Sequence, residues 1–238
     1  MSNFELEIEK LKQQIAILEG KKSEIPSYSF SKIKFKDIEK LVEIEEKLHK
    51  NRFDFWFNSE IKISQNTKIF LRKLINENSS LIDKYDEEDL KLYFLAPIFN
   101  HINFKSFEKE FRAFYNEKIN YQTEKFILNG EVDFVLSLGL IKSKKPYFFI
   151  QEFKKGIEFS DPRPQLIAEL IAGLEISKLQ EIKGAFIIGS IWNFVILEKL
   201  GENKYQYFVS ANFDSSKIED LKLIYKNLAF VKKEILES

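Results

Sequence analysis

The apolar run Tyr147-Phe148-Phe149-Ile150 is the feature that most constrains the fold of this chain. A strand with one face in water alternates apolar and polar residues, and this run does not. It therefore predicts a strand that is buried on both faces, at the centre of a sheet. Such a strand needs cover on both sides, so we expect an α/β fold with a mixed sheet flanked by helices.

The segments around this strand follow the order helix, hairpin, strand, helix and further strands. Asp86-Glu87-Glu88-Asp89 predicts the start of the first helix, because acidic side chains there offset the helix dipole. Asn129-Gly130 predicts a tight turn between two hairpin strands. The remaining elements are predicted as hairpin strands at 112–128 and 131–141, a helix at 165–179, strands at 184–188, 193–197 and 204–209, and a helix at 218–235.

The N-terminal third of the chain is expected to be helical. Apolar residues recur there at spacings of three and four, at Phe4, Ile8, Leu11, Ile15 and Leu18. Residues 1–22 are therefore predicted to form an amphipathic helix. That helix either packs on its own domain or forms a coiled coil with a second copy, a homodimer contact through residues 4–18. A helical region at 23–80 and a core domain at 81–238 complete the predicted organisation.

The composition limits the chemistry that is open to this chain. It contains no cysteine, which excludes disulfides, thiolate metal sites and cysteine nucleophiles. Its histidines are His49 and His101 alone, so a metal would be held mainly by oxygen atoms, which suits Mg²⁺ or Mn²⁺. The 37 basic and 37 acidic residues balance, so a contact with nucleic acid requires a local basic patch.

The sequence also carries an expectation about location. No apolar stretch is long enough to span a membrane, and the N-terminus lacks the pattern of a signal peptide. We therefore expect a cytoplasmic protein with no membrane contact.

Charged residues interrupt two of the predicted strands. The buried run ends in Gln151-Glu152-Phe153-Lys154. Since strand side chains alternate, Glu152 and Lys154 point to the same face, about 7 Å apart. Asp133 interrupts the apolar sequence of the returning hairpin strand. Two neighbouring strands would then each contribute one carboxylate, with a lysine beside them.

Two interpretations of this set are open. Two carboxylates and a lysine suit metal-dependent phosphodiester hydrolysis, in which the carboxylates hold a divalent ion and the lysine orients a water. Alternatively, Glu152 and Lys154 form a buried ion pair while Asp133 only caps the hairpin. The spacing favours neither.

The same residues resemble the PD-(D/E)XK nuclease superfamily, which includes many restriction endonucleases. Gly130-Glu131-Val132-Asp133-Phe134 is similar to its aspartate-bearing strand, although Val132 replaces the usual proline. Glu152-Phe153-Lys154 is similar to its Glu-x-Lys strand, and the segment from Pro164 to Glu169 resembles the following helix of a bacterial branch. The resemblance covers roughly residues 86 to 210 and implies a restriction-endonuclease-like fold.

The resemblance also implies a role for each residue. Asp133, Glu152 and the Phe153 carbonyl would bind Mg²⁺ or Mn²⁺, Lys154 would position the water, and Gln165 would support the site. The implied activity is cleavage of nucleic acid, DNA in preference to RNA. The rival is a catalytically silent member that binds nucleic acid or a partner protein through the same fold.

Further charged residues are candidate site residues, each on a single observation. Glu87 resembles the first-helix glutamate in the nuclease domains of type I restriction subunits, but its position is equally that of a helix cap. Glu169 lies one helical turn after Gln165, and an exposed helix position is favoured for it over one facing the site. Basic residues expected to flank the site and contact phosphates are Lys142, Lys144, Lys145, Lys155 and Arg163.

Overall fold

The computed structural model describes residues 25–82, 84–154 and 161–237, in which ten strands form one mixed sheet. The strands are β1 (Ser27–Ser29), β2 (Glu43–Glu46), β3 (Lys105–Ser106), β4 (Phe111–Gln122), β5 (Ile127–Leu138), β6 (Lys144–Lys154), β7 (Glu181–Ile188), β8 (Ile191–Gly201), β9 (Lys204–Val209) and β10 (Phe213–Asp214). Their order is β2-β9-β8-β7-β6-β5-β4-β3, with β1 paired to β5 and β10 paired to β8. The predicted α/β class with a mixed sheet is confirmed.

Strand β6 lies inside the sheet, as its apolar run predicts. It is antiparallel to β5 on one side and parallel to β7 on the other. Phe149 and Ile150 are fully buried and point to opposite faces, since each belongs to a different apolar cluster. Both faces of the sheet are therefore covered.

Helices supply this cover. They are α1 (Phe35–Leu41), α2 (Asp54–Phe57), α3 (Gln65–Asn78), α4 (Glu87–Asp89), α5 (Ala96–Ile102), α6 (Arg163–Ser177) and α7 (Ile218–Glu237). A π-helical turn, Leu90–Leu95, joins α4 to α5. The cluster on one face draws on α2, α3, the π-helical turn, α5 and α7, and the cluster on the other draws on α1 and α6. The Asp86 carboxylate caps α4, as predicted, by accepting the Asp89 N–H at 2.8 Å.

Helix α6 packs very close to the sheet because each of the two surfaces has a glycine at the contact, Gly173 on α6 and Gly184 on β7. A Cβ atom on Gly184 of β7 would lie 2.8 Å from the Ile150 carbonyl oxygen and 2.9 Å from a methyl of Leu170. A Cβ atom on Gly173 of α6 would lie 2.7 Å from Ile150 Cδ1. This close approach brings the polar residues of α6 next to the end of β6.

The hairpin turn predicted at Asn129-Gly130 is wrong. Both residues lie inside β5, where Asn129 pairs with Asn120 of β4. The chain reverses earlier, where the Thr123 hydroxyl accepts the Lys125 and Phe126 N–H groups. Gly130 has a φ of 151°, and a Cβ atom there would lie 2.7 Å from the Phe30 ring. Gly130 therefore serves a close packing contact and not a turn.

The region at 23–80, predicted as helical, contains strands as well as helices. It contains α1, α2 and α3, but it also supplies β1, parallel to β5, and β2, parallel to β9. The sequence of β2, Glu43-Ile44-Glu45-Glu46, is too short for its charge pattern to distinguish a helix from a strand. Pairing with β9, distant in sequence, decides its conformation.

The predicted helix at 1–22, with its coiled coil and homodimer contact, lies outside the described residues. In the part of the chain that the structure does describe, none of the helices has the length and apolar character that a membrane span requires.

Candidate active site

Strands β5 and β6 bring Asp133 and Glu152 together. Phe134 pairs with Gln151, and because the strands are antiparallel, Asp133 lies level with Glu152. The Asp133 Oδ2 atom accepts the Phe153 N–H at 2.9 Å. The predicted proximity of these two carboxylates follows from the strand register.

The Glu152 carboxylate is held almost entirely away from water, with 1% of its side chain exposed. Its Oε1 atom accepts a hydrogen bond from the Lys154 Nζ atom at 2.5 Å, while Oε2 has no partner among the described residues. Burial, reinforced by the charge of Asp133 and opposed by Lys154, raises the pKa of Glu152 to about 8. Burial lowers the pKa of Lys154, but the Glu152 carboxylate outweighs it, and the net pKa lies above the usual value.

Helix α6 adds a second buried acid. Glu169 is fully buried, so the favoured prediction of an exposed helix position is wrong. Its Oε1 atom accepts a hydrogen bond from Gln165 Nε2 at 3.0 Å, and its Oε2 atom is buried without a partner among the described residues. Burial and the charge of Glu152 raise the pKa of Glu169 well above its ordinary value. Gln165 therefore contacts Glu169, a buried acid close enough to Glu152 to feel its charge.

Lys91, in the π-helical turn, was not identified from the sequence. Its Nζ atom lies 2.9 Å from Asp133 Oδ1, 3.1 Å from Glu88 and 3.3 Å from Glu87. Burial lowers the pKa of Lys91, but the acids around it raise it further, and the net pKa is above the usual value. The sequence feature that could have identified Lys91 is its spacing of four residues from Glu87, which places both side chains on one helix face.

Glu87 is connected to the site through this lysine. It lies in the first turn of α4, where Asp86 is the capping residue. Glu87 is thus not the cap, and its carboxylate faces Lys91 and, more distantly, the charge of Lys154.

Three of the predicted phosphate-contact lysines do not lie beside the carboxylates. Lys144 and Lys145 begin β6, whereas Glu152 is near its end, a separation of roughly 25 Å along an extended strand. Lys142 lies in the loop before β6. Residues near in sequence are far apart here because an extended strand places successive residues at its maximum rise.

Arg163, another predicted phosphate contact, is already bound to a neighbouring acid. The Arg163 guanidinium makes three hydrogen bonds of 2.8 to 3.0 Å with the Asp161 carboxylate, which balances its charge. Lys155 lies outside the described residues.

The donor atoms suit a hard divalent ion, although they are not gathered as a finished metal site. Among the described residues, no group of three or more His, Cys, Asp or Glu side chains is placed to hold a metal ion. Both Asp133 oxygens are engaged, by Lys91 and by the Phe153 N–H. Within the described parts of the chain, the buried Oε2 atoms of Glu152 and Glu169 nevertheless lack partners, and carboxylate oxygen is the ligand that Mg²⁺ and Mn²⁺ prefer.

Comparison with known proteins yields no family for this chain. No protein-family model matches it, and no curated protein sequence matches it significantly.

Proposed function

We propose that this chain is a divalent-metal-dependent nuclease of the PD-(D/E)XK type, which hydrolyses phosphodiester bonds in nucleic acid, DNA in preference to RNA. The observation that carries the proposal is the convergence of Asp133, Glu152 and Lys154 on two paired strands, where β6 approaches its end. A purely structural ion pair does not require the third charged group.

The local topology supports a restriction-endonuclease-like core. Strands β4, β5 and β6 form an antiparallel meander, and α6 then crosses over to β7, which is parallel to β6. The Asp-bearing strand, the Glu-x-Lys strand and the glutamine-bearing helix follow one another in the order that the resemblance implies.

Buried carboxylate oxygens that have no partner among the described residues also support the proposal. Burying a carboxylate without a partner costs free energy of folding. Burying two of them close together brings no compensating gain unless they bind a cation. The free Oε2 atoms of Glu152 and Glu169 have an explanation if a cation binds beside them.

Each residue then has a stated task. Asp133, Glu152 and the Phe153 carbonyl would hold Mg²⁺ or Mn²⁺, which supplies Lewis-acid activation of water and phosphate. Lys154 donates to Glu152 and presents its charge where negative charge develops on the phosphate. Gln165 fixes the orientation of the Glu169 carboxylate.

A silent binding module is the second candidate, because Lys91 already neutralises Asp133. The Nζ–Oδ1 distance of 2.9 Å is that of a formed ion pair. In this alternative the lysine replaces the metal ion, and the fold binds nucleic acid or a protein without cleaving.

The deciding experiment measures cleavage of plasmid, linear duplex, single-stranded DNA and RNA with Mg²⁺ or Mn²⁺. We expect Lys154→Ala to reduce the rate by about 10²-fold or more, since one electrostatic contact to a transition state is typically worth that much. Lys204→Ala is the matched control and should have no effect, because Lys204 of β9 forms only an exposed ion pair with Glu43 of β2.

The outcomes separate the two candidates. Cutting by the wild type and the control, but not by Lys154→Ala, supports the nuclease. Equal cutting by all three indicates a contaminating enzyme and contradicts it. Binding without cutting of any substrate supports the silent module.

A further inference from the structure

An open cavity of about 490 Å³ lies on the sheet face that carries Glu152 and Lys154. We call it the β7–β9 cavity. It is lined by apolar side chains and amides, chiefly Phe186, Ile188, Ile191, Asn193, Val209 and Asn212. Its volume falls in the range of about 300 to 1,000 Å³ that is typical of small-ligand sites.

Strand register places the cavity next to the candidate active site. Glu152 pairs with Phe186, which pairs with Asn193. Lys154 pairs in the same way with Ile188, which pairs with Ile191. Directly paired residues share a face, and adjacent strands are about 4.8 Å apart. The near wall of the cavity is therefore one strand spacing from the two charged residues.

Hydrogen bonds hold two amide side chains of the cavity, Asn193 and Asn212, in fixed orientations. Asn193 has 7% of its surface exposed, and its Nδ2 atom donates to the Ser210 carbonyl at 3.2 Å and to Asn212 Oδ1 at 2.8 Å. These bonds fix the Asn193 Oδ1 atom as an acceptor and the Asn212 Nδ2 atom as a donor. Neither atom has a partner among the described residues.

The cavity offers no free positive charge to a phosphate. Arg163 at its rim is bound to Asp161. Glu46, also in the lining, accepts a hydrogen bond from the Tyr207 hydroxyl at 3.1 Å. The net charge of this wall is negative, which disfavours phosphate and favours a neutral group that carries N–H donors.

A nucleobase matches this combination of features. Its flat faces pack on apolar side chains, and its edge offers donors and acceptors to amides. A base whose phosphate lies at Glu152 and Lys154 is close enough to enter, provided that it is not paired and stacked in a duplex.

We propose that the β7–β9 cavity binds one unpaired base next to the cleaved phosphate, so that the substrate strand is single-stranded or unpaired at the cut. This inference rests on the proposed nuclease function, since that function places the phosphate at Glu152 and Lys154.

The test measures fluorescence anisotropy to compare binding of a labelled oligothymidylate with binding of the same strand in a blunt-ended duplex with oligoadenylate. Ca²⁺ replaces Mg²⁺ in both measurements. We expect the wild type to prefer the single strand at least tenfold. The double variant Ile191→Ala/Asn212→Ala should weaken single-strand binding by about tenfold, with the duplex unaffected, since one base stack contributes that much. The matched control, Leu200→Ala/Asn120→Ala, changes exposed residues outside the cavity and should bind as the wild type does.

Thermal midpoints of both double variants show whether they are folded, and cleavage assays run in parallel separate the two proposals. Metal-dependent cleavage with equal single-strand affinity in both double variants would overturn the cavity proposal and leave the nuclease. Cavity-dependent single-strand binding without cleavage would support the cavity and contradict the nuclease. Equal affinity of the wild type for single strand and duplex would overturn the cavity proposal.

Discussion

Glu152 lies in surroundings that disfavour the ionised form of its carboxylate. It is an acid with 1% of its side chain exposed, near two other carboxylates. Its pKa of about 8 means that, without a metal ion beside it, the folded protein retains a proton there at neutral pH. A bound divalent ion would displace that proton, because its charge favours the ionised carboxylate.

This shifted pKa predicts a pH dependence of stability. Between its ordinary value of 4.5 and about 8, the unfolded chain has lost the proton and the folded chain keeps it. The free energy of unfolding therefore falls as pH rises through that window. Glu152→Gln removes this contribution, so in metal-free urea titrations its stability should decline less with pH than that of the wild type. Parallel curves for the two proteins would contradict the raised pKa.

Lys91 predicts an effect on metal binding. Its ammonium competes with a divalent ion for Asp133, so Lys91→Met should destabilise the metal-free protein by about 1–3 kcal/mol and make it bind Mn²⁺ more tightly. We expect a larger Mn²⁺-induced rise in the thermal midpoint in this variant than in the wild type. Lys73→Met is the control, because Lys73 is exposed and forms only a helix-surface pair with Glu77. Equal rises in Lys91→Met and Lys73→Met would show that Asp133 is not a ligand.

At the scale of elements, the contact between α6 and the β6–β7 pair positions the site. Leu166, Leu170 and Leu174 are fully buried along the helix. The glycines that permit this contact let Gln165 and Glu169 approach the end of β6. The distance between helix and sheet therefore controls the geometry of the acids.

A single added methyl group tests this contact. In Gly184→Ala the new Cβ atom would lie 2.8 Å from the backbone oxygen of Ile150, which cannot rotate away. We expect a loss of about 1–3 kcal/mol in urea unfolding, as for other overpacked cores. Gly201→Ala is matched, since its nearest neighbour would be 3.9 Å away. Similar stabilities of the two variants would mean that Gly184 packs less tightly against Ile150 of β6 and Leu170 of α6 than these distances indicate.

At the scale of the whole molecule, the sheet joins distant parts of the chain. β1 pairs with β5 and β2 pairs with β9, so residues 27–29 and 43–46 belong to the same sheet as the site. Arg52 adds ion pairs to Glu181 of β7 and Glu198 of β8. The polar end of β6 therefore lies in a sheet assembled from both halves of the chain.

Local pattern was sufficient for much of the fold and for part of the site. The apolar run 147–150 identified the interior strand, and the acidic residues at 86–89 identified a helix start. The alternation of side chains along a strand placed Glu152 and Lys154 on one face, where the Lys154 Nζ atom donates a hydrogen bond to Glu152. These features depend on neighbours within a few residues, which a sequence displays directly.

The order of the residues was enough to establish which chemical groups are present and to predict the strand that carries Glu152 and Lys154. Tertiary structure alone decided that Glu169 is buried, that Lys91 meets Asp133 across 42 positions, and that Lys144 lies far from the acids. It also moved the hairpin turn away from Asn129-Gly130. The reason is that burial and long-range pairing depend on which surfaces pack together, and packing can override a local preference of about 1 kcal/mol.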